Sequence, residues 1–116
     1  MRDQPIPNVT RADVERVVRR DFPDKMVAQV LAMLDEYDAS SGPPSPRVQL
    51  AVLKLADGNL KALTRYLTDA KLDYRDVLAW AEYPAYFRGV PGPGQPANVD
   101  RVIDADWQQY QAWLTR

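Results

Sequence analysis

Apolar residues recur along this chain with a helical period almost from end to end, and no segment alternates as a half-buried strand would. In RADVERVVRRDF, Val14, Val17, Val18 and Phe22 form one stripe. Thr10, with Asp13 three residues on, makes a capping-box-like start. Pro23 suits the first turn of a second helix, on which Met26, Val27, Val30, Leu31, Met33, Leu34 and Tyr37 cover an arc wide enough for core packing. That helix is expected to stop near Asp38, before a linker at 39–45.

Ser45 followed by Pro46 signals a third helix. The segment RVQLAVLKLAD is apolar over most of its circumference, broken by Arg47 and Lys54 and more weakly by Gln49 and Asp57, so it belongs at the centre of a bundle. Gly58 supplies its stop and Asn59 caps a fourth helix that buries Leu60, Leu63, Tyr66, Leu67 and Ala70. Asp73 followed by Asp76 reads as a cap that would start a new helix at Tyr74. Against it, Leu60, Leu67, Tyr74 and Ala81 keep a seven-residue register through the same point. The cap favours a break. Pro84 is expected to end helical structure, leaving a Pro/Gly-rich loop at 84–97. The last helix should begin between Asn98 and Asp104 and bury Val99, Val102, Ile103, Trp107, Tyr110, Trp113 and Leu114. The pattern predicts an all-α fold: a compact single-domain bundle of five to six helices over 1–116, with an extended N-terminal segment at 1–9.

Composition narrows the chemistry more than it widens it. At 116 residues with 46% hydrophobic and 27% charged side chains, the chain has the make-up of an ordinary globular domain. It contains neither Cys nor His, which removes thiol nucleophiles, imidazole bases and the ligands of ordinary zinc sites. The formal charge of −1 and a pI near 5.3 give no reason to expect nucleic acid or an anionic membrane as a partner. No apolar run approaches a membrane span, and MRDQPIPNVT has no signal-like core. The expectation is a cytoplasmic protein without a cofactor.

Five aromatics crowd into DYRDVLAWAEYPAYF, residues 73–87. A helix from Tyr74 would turn Tyr74, Val77, Leu78 and Ala81 to the core, put Trp80 on its flank and Tyr83 nearly opposite. Trp80, Tyr83, Tyr86 and Phe87, edged by Arg75 and Arg88, are then the candidate binding residues. Two readings stay open: the loop and last helix fold over them, or they form an exposed patch of the kind that binds partners.

The carboxylates are poorer candidates, since no paired ExxE motif is present and Asp35, Glu36 and Asp38 sit at a helix end. Asp106 falls on an apolar face if the last helix begins near Asn98, where it would need an Arg, a Tyr hydroxyl or backbone donors. A start at Asp104 would leave it solvated. Arg11, Arg16, Arg19 and Arg20 read as a solvated basic edge rather than a DNA reader, because Asp13, Glu15 and Asp21 dilute them.

The segments RVQLAVLKLADG, from Arg47, and DYRDVLAWAEYP, from Asp73, resemble those shared by a group of small bacterial helical proteins with the patterns RVQLAxLKLAxG and DYRDVLAxAEYP. The resemblance implies an all-helical bacterial protein and no particular activity. With no catalytic constellation and an aromatic-rich turn beside a long Pro/Gly loop, the leading expectation is a non-enzymatic protein-binding module of adaptor, inhibitor or immunity type. The alternatives are a carboxylate-based enzyme or small-ligand binder using Asp106, Asp76 and Tyr110, and a homo-oligomer that closes its aromatic patch on itself.

Overall fold

The computed structural model describes residues 5–41, 45–89 and 96–116, and over 38–41, 88–89 and 96–99 the backbone alone. Six helices account for most of them, with no strand among the described residues. They are α1 (Arg11–Asp21), α2 (Asp24–Ser41), α3 (Pro46–Ala56), α4 (Leu60–Glu82), α5 (Pro84–Gly89) and α6 (Pro96–Thr115). Among the described residues, no helix is long and apolar enough to cross a membrane.

The local signals explain most of the boundaries. The Thr10 backbone N–H donates to Asp13 Oδ2 at 2.9 Å, and the Ser45 hydroxyl accepts from the Val48 N–H at 3.2 Å. Between α3 and α4 the chain turns through Asp57 and Gly58, both at positive φ, and Asn59 Oδ1 then accepts from the Ala62 N–H at 2.9 Å. Gly58 is needed twice over. Its φ is +76°, and a Cβ there would stand 2.8 Å from the Asp21 carbonyl oxygen. This turn seats the α3–α4 hairpin on the end of α1.

Helix α3 is the core element. Val48, Gln49, Leu50, Ala51, Val52, Leu53 and Ala56 are all buried. It packs most extensively on α4 and next on α1. The buried Gln49 Nε2 donates to the Leu34 carbonyl of α2, and its Oε1 accepts from Arg11 of α1. Val14, Val17 and Val18 of α1, Val30, Leu34 and Tyr37 of α2, Leu63 and Leu67 of α4, and Tyr110, Trp113 and Leu114 of α6 complete the same core.

Four expectations need correction. Helix α2 runs to Ser41 rather than stopping near Asp38, so the linker proposed for 39–45 begins inside a helix; 42–44 lie outside the described residues. Pro84 starts α5 instead of ending helical structure, and α6 begins at Pro96, so the 84–97 loop is helical at both ends. Proline needs no N–H partner in a first turn, which makes it as good a start as a stop. Of the N-terminal segment, 5–10 carry no regular structure. Arg16 stays exposed as expected but Arg20 is half-buried, and both do more than edge the surface. Arg16 Nη2 donates to the Leu114 carbonyl and Arg20 Nη1 to that of Trp113, both at 2.7 Å, while the Arg20 guanidinium lies over the Trp113 ring. They satisfy carbonyls that the last turn of α6 leaves open.

Candidate functional site

Helix α4 breaks at Asp73, whose φ of −158° and ψ of 102° are extended. The cap chemistry prevails over the seven-residue register: Asp73 Oδ1 accepts from the Arg75 N–H at 3.0 Å and starts the second half. The break has a geometric consequence. The short α3–α4 turn makes the two helices antiparallel neighbours, so an unbroken α4 would carry Glu82 roughly 18 Å beyond Arg47. Instead Arg47, in the first turn of α3, holds Glu82 edge-on, with Nε to Oε2 at 2.8 Å and Nη2 to Oε1 at 2.7 Å. Glu82 is only 2% exposed. The hydrogen bonds to Glu82 raise the Arg47 pKa above its already high ordinary value, so the guanidinium stays charged. This ion pair joins the two segments that carry the resemblance.

A second clamp sits at the break. Arg75 Nε and Nη2 donate to Asp73 Oδ1 and Oδ2, each at 3.0 Å, with the Arg75 side chain exposed and that of Asp73 partly covered.

The junction from α4 to α5 is held from α6. The last carbonyls of α4 and the first N–H groups of α5 need partners, and Tyr83 between them has no side chain suited to capping. Asp106, buried on α6, accepts from the Ala85 N–H at 3.3 Å and the Tyr86 N–H at 2.9 Å. One turn along the same face, Gln109 Nε2 donates to the Ala81 and Glu82 carbonyls at 3.4 Å. Asp106 is thus an N-cap for α5 supplied by another helix, with backbone donors offsetting its desolvation. Lys54 of α3 also feels its charge, which opposes the lowering of the Lys54 pKa by burial. The Tyr83 ring is buried and its hydroxyl donates to the Pro5 carbonyl, fastening the N-terminal segment here.

These restraints shape an open groove of about 310 Å³. Its floor is one face of the second half of α4, made by Tyr74, Arg75, Leu78, Ala79, Glu82 and Tyr83; Arg47 and Phe87 form its walls. The candidate residues divide around it. Arg75, Tyr83 and Phe87 line the groove, Tyr83 as a buried part of its floor rather than a surface side chain. Tyr86 meets Phe87 edge-on, ring centroids 4.9 Å apart. Trp80 lies off the groove and pairs edge-on with Tyr66 at 6.5 Å. The Arg88 side chain is outside the described residues. Tyr74, expected in the core stripe, is half exposed, because the break at Asp73 turns that stripe to Val77 and Ala81. Arg47 and Glu82 were missed altogether. Their one signal was a charged pair among otherwise apolar positions, Arg47 in a helix apolar nearly all round and Glu82 in a stretch rich in aromatics.

The described large hydrophobics that remain exposed are Ile6, Leu72, Tyr74, Trp80 and Phe87, so all but Ile6 fall in 72–87. Among the described residues no group of three or more acidic side chains is placed to hold a metal ion. Tyr110 is wholly buried, and its hydroxyl has no hydrogen-bond partner among the described residues. Comparison with protein-family models, characterised proteins and solved structures finds no match.

Proposed function

We propose that this protein is a binding module that receives a segment of another protein in the groove between the second half of α4 and α5. The observation that carries this reading is the concentration of exposed apolar surface around the groove. Phe87 is 55% exposed and Tyr74 half exposed, and both line the groove; Leu72, 82% exposed, precedes Tyr74 by two residues in sequence. Solvated apolar side chains are common singly, whereas a cluster beside a concave site marks a contact surface. The Arg47 and Arg75 guanidinium groups that line it add the polar anchors that interfaces favour.

A photo-crosslinking residue placed at Tyr74 or at Phe87 tests the reading in extracts of the source organism. Both positions should capture one and the same protein, and the exposed control position Lys61 should not. Capture that is identical at all three, or a captured species that Tyr74→Ala and Phe87→Ala leave unchanged, would overturn it. Capture of the chain by itself would replace the partner with a second copy.

A further inference from the structure

The polar valences of the groove are unequal, and the inequality specifies a ligand. Each carboxylate at the groove is already paired with an arginine: both Glu82 oxygens accept from Arg47, and Asp73 accepts from Arg75 through both of its own. The buried Tyr83 hydroxyl is spent on Pro5. What remains is on the arginines. Each is gripped along its Nε–Nη2 edge, and Nη1 of neither has a partner among the described residues. Arg47, gripped along one edge by the buried Glu82, has lost most of its rotamer freedom, and its other edge presents N–H donors at little further entropic cost; Arg75, 78% exposed, is held less firmly. The groove thus offers aromatic and aliphatic surface from Tyr74, Leu78 and Phe87 next to open donors from Arg47 and Arg75.

Resting on the binding reading above, we propose that the groove selects a peptide segment in which an Asp or Glu side chain stands beside a bulky apolar one. The carboxylate takes the free Nη1 edges and the apolar neighbour packs between Tyr74 and Phe87. A basic segment would set donors against donors, and a purely apolar one would bury them unpaired. Each guanidinium is already matched by one acid, so long-range attraction is weak. Selection acts at contact.

The test uses fluorescein-labelled, amide-capped heptapeptide mixtures with Phe fixed beside a central Glu, Gln or Lys, titrated against the full chain by fluorescence anisotropy. The Glu mixture should bind about ten-fold tighter than the Gln mixture, as expected for an added charge-assisted hydrogen bond, and the Lys mixture weakest. Arg75→Gln, at an exposed site, should shrink the Glu preference without altering the melting temperature. Because Arg47→Gln alone strands Glu82, the paired Arg47→Gln/Glu82→Gln variant serves for the other anchor and should remove most of the preference. Equal binding of the Glu and Gln mixtures, lost in Phe87→Ala, would overturn this selectivity while leaving the groove as a binding site. Binding that ignores both Tyr74→Ala and Phe87→Ala, or no binding of any mixture, would overturn both. Full competition by free phenylacetate at matched concentration would reassign the site to small carboxylates and overturn the peptide.

Discussion

Two arginines line one groove, each held edge-on by a carboxylate, and the two clamps are nearly alike in geometry: 2.8 and 2.7 Å for Arg47–Glu82, 3.0 and 3.0 Å for Arg75–Asp73. They differ in what surrounds them. Glu82 is buried, whereas Arg75 is exposed and Asp73 partly so at the break in α4. Distance alone would rank them as equals. Burial separates them, because an ion taken out of water depends on its partner and a solvated one does not. The inner pair is a structural tie between α3 and the end of α4, and the outer pair shapes the surface of a cap.

The largest effect should come from stranding the inner acid. Arg47→Ala leaves Glu82 buried without a counter-ion and should cost about 3–5 kcal/mol in urea unfolding. Arg47→Met with Glu82→Leu replaces both charges by apolar volume and should recover most of that loss. If the single and double variants unfold together, the tie lies in packing around the pair rather than in the charge left behind.

Next in size is the cap that sets Phe87 against the groove. Asp106→Ala removes the acceptor for two amides in the first turn of α5 and should cost about 1–3 kcal/mol. Hydrogen exchange should quicken at Ala85 and Tyr86 before it quickens anywhere in α3. Unchanged exchange at those two amides would mean that α5 is held by its side chains instead.

The same contrast between near and distant causes explains what could be read in advance. The place of α3 at the centre was legible because nearly its whole circumference is apolar, a property of eleven consecutive residues. The break at Asp73 was legible too, since a cap is local chemistry that needs only the next two residues. Helix α5 was not. Its first N–H groups are satisfied by Asp106, 20 residues away in sequence, so Pro84 read as a stop. Nor were Arg16 and Arg20, which act on carbonyls of the last helix. The candidate aromatics misled for a related reason. Tyr83 and Phe87 stand four residues apart, but only the seating of α5 by α6 decides that one is floor and the other wall.

A smaller, stabilising change is expected behind the inner pair. Tyr110 is fully buried, its hydroxyl has no partner among the described residues, and burial pushes its pKa well above the ordinary value of 10.0, with Glu82 adding to the rise. Tyr110→Phe should therefore gain about 1 kcal/mol by deleting an unsatisfied polar group. The sign of the pH effect follows from linkage. Above pH 10 the unfolded chain sheds this proton and the folded chain keeps it, so stability falls as pH rises. That part of the alkaline loss should be missing from the variant. A destabilised Tyr110→Phe would reveal a partner for the hydroxyl.

The smallest effect belongs to the outer clamp, and it sharpens the comparison most. The Arg75 guanidinium, then its backbone N–H, hold the Asp73 carboxyl below its ordinary value of 3.8. A depressed acid contributes stability above that ordinary value and loses it as pH falls through the folded one, so the window lies below pH 3.8. In Arg75→Gln the Asp73 titration followed by NMR should move upward, because the larger of the two causes is gone. Its backbone N–H survives, so the break in α4 should persist, and the urea midpoint at neutral pH should match that of the parent chain. A midpoint that falls alongside the shifted titration would make the exposed clamp a structural tie like the buried one. Burial would then not be what distinguishes the two.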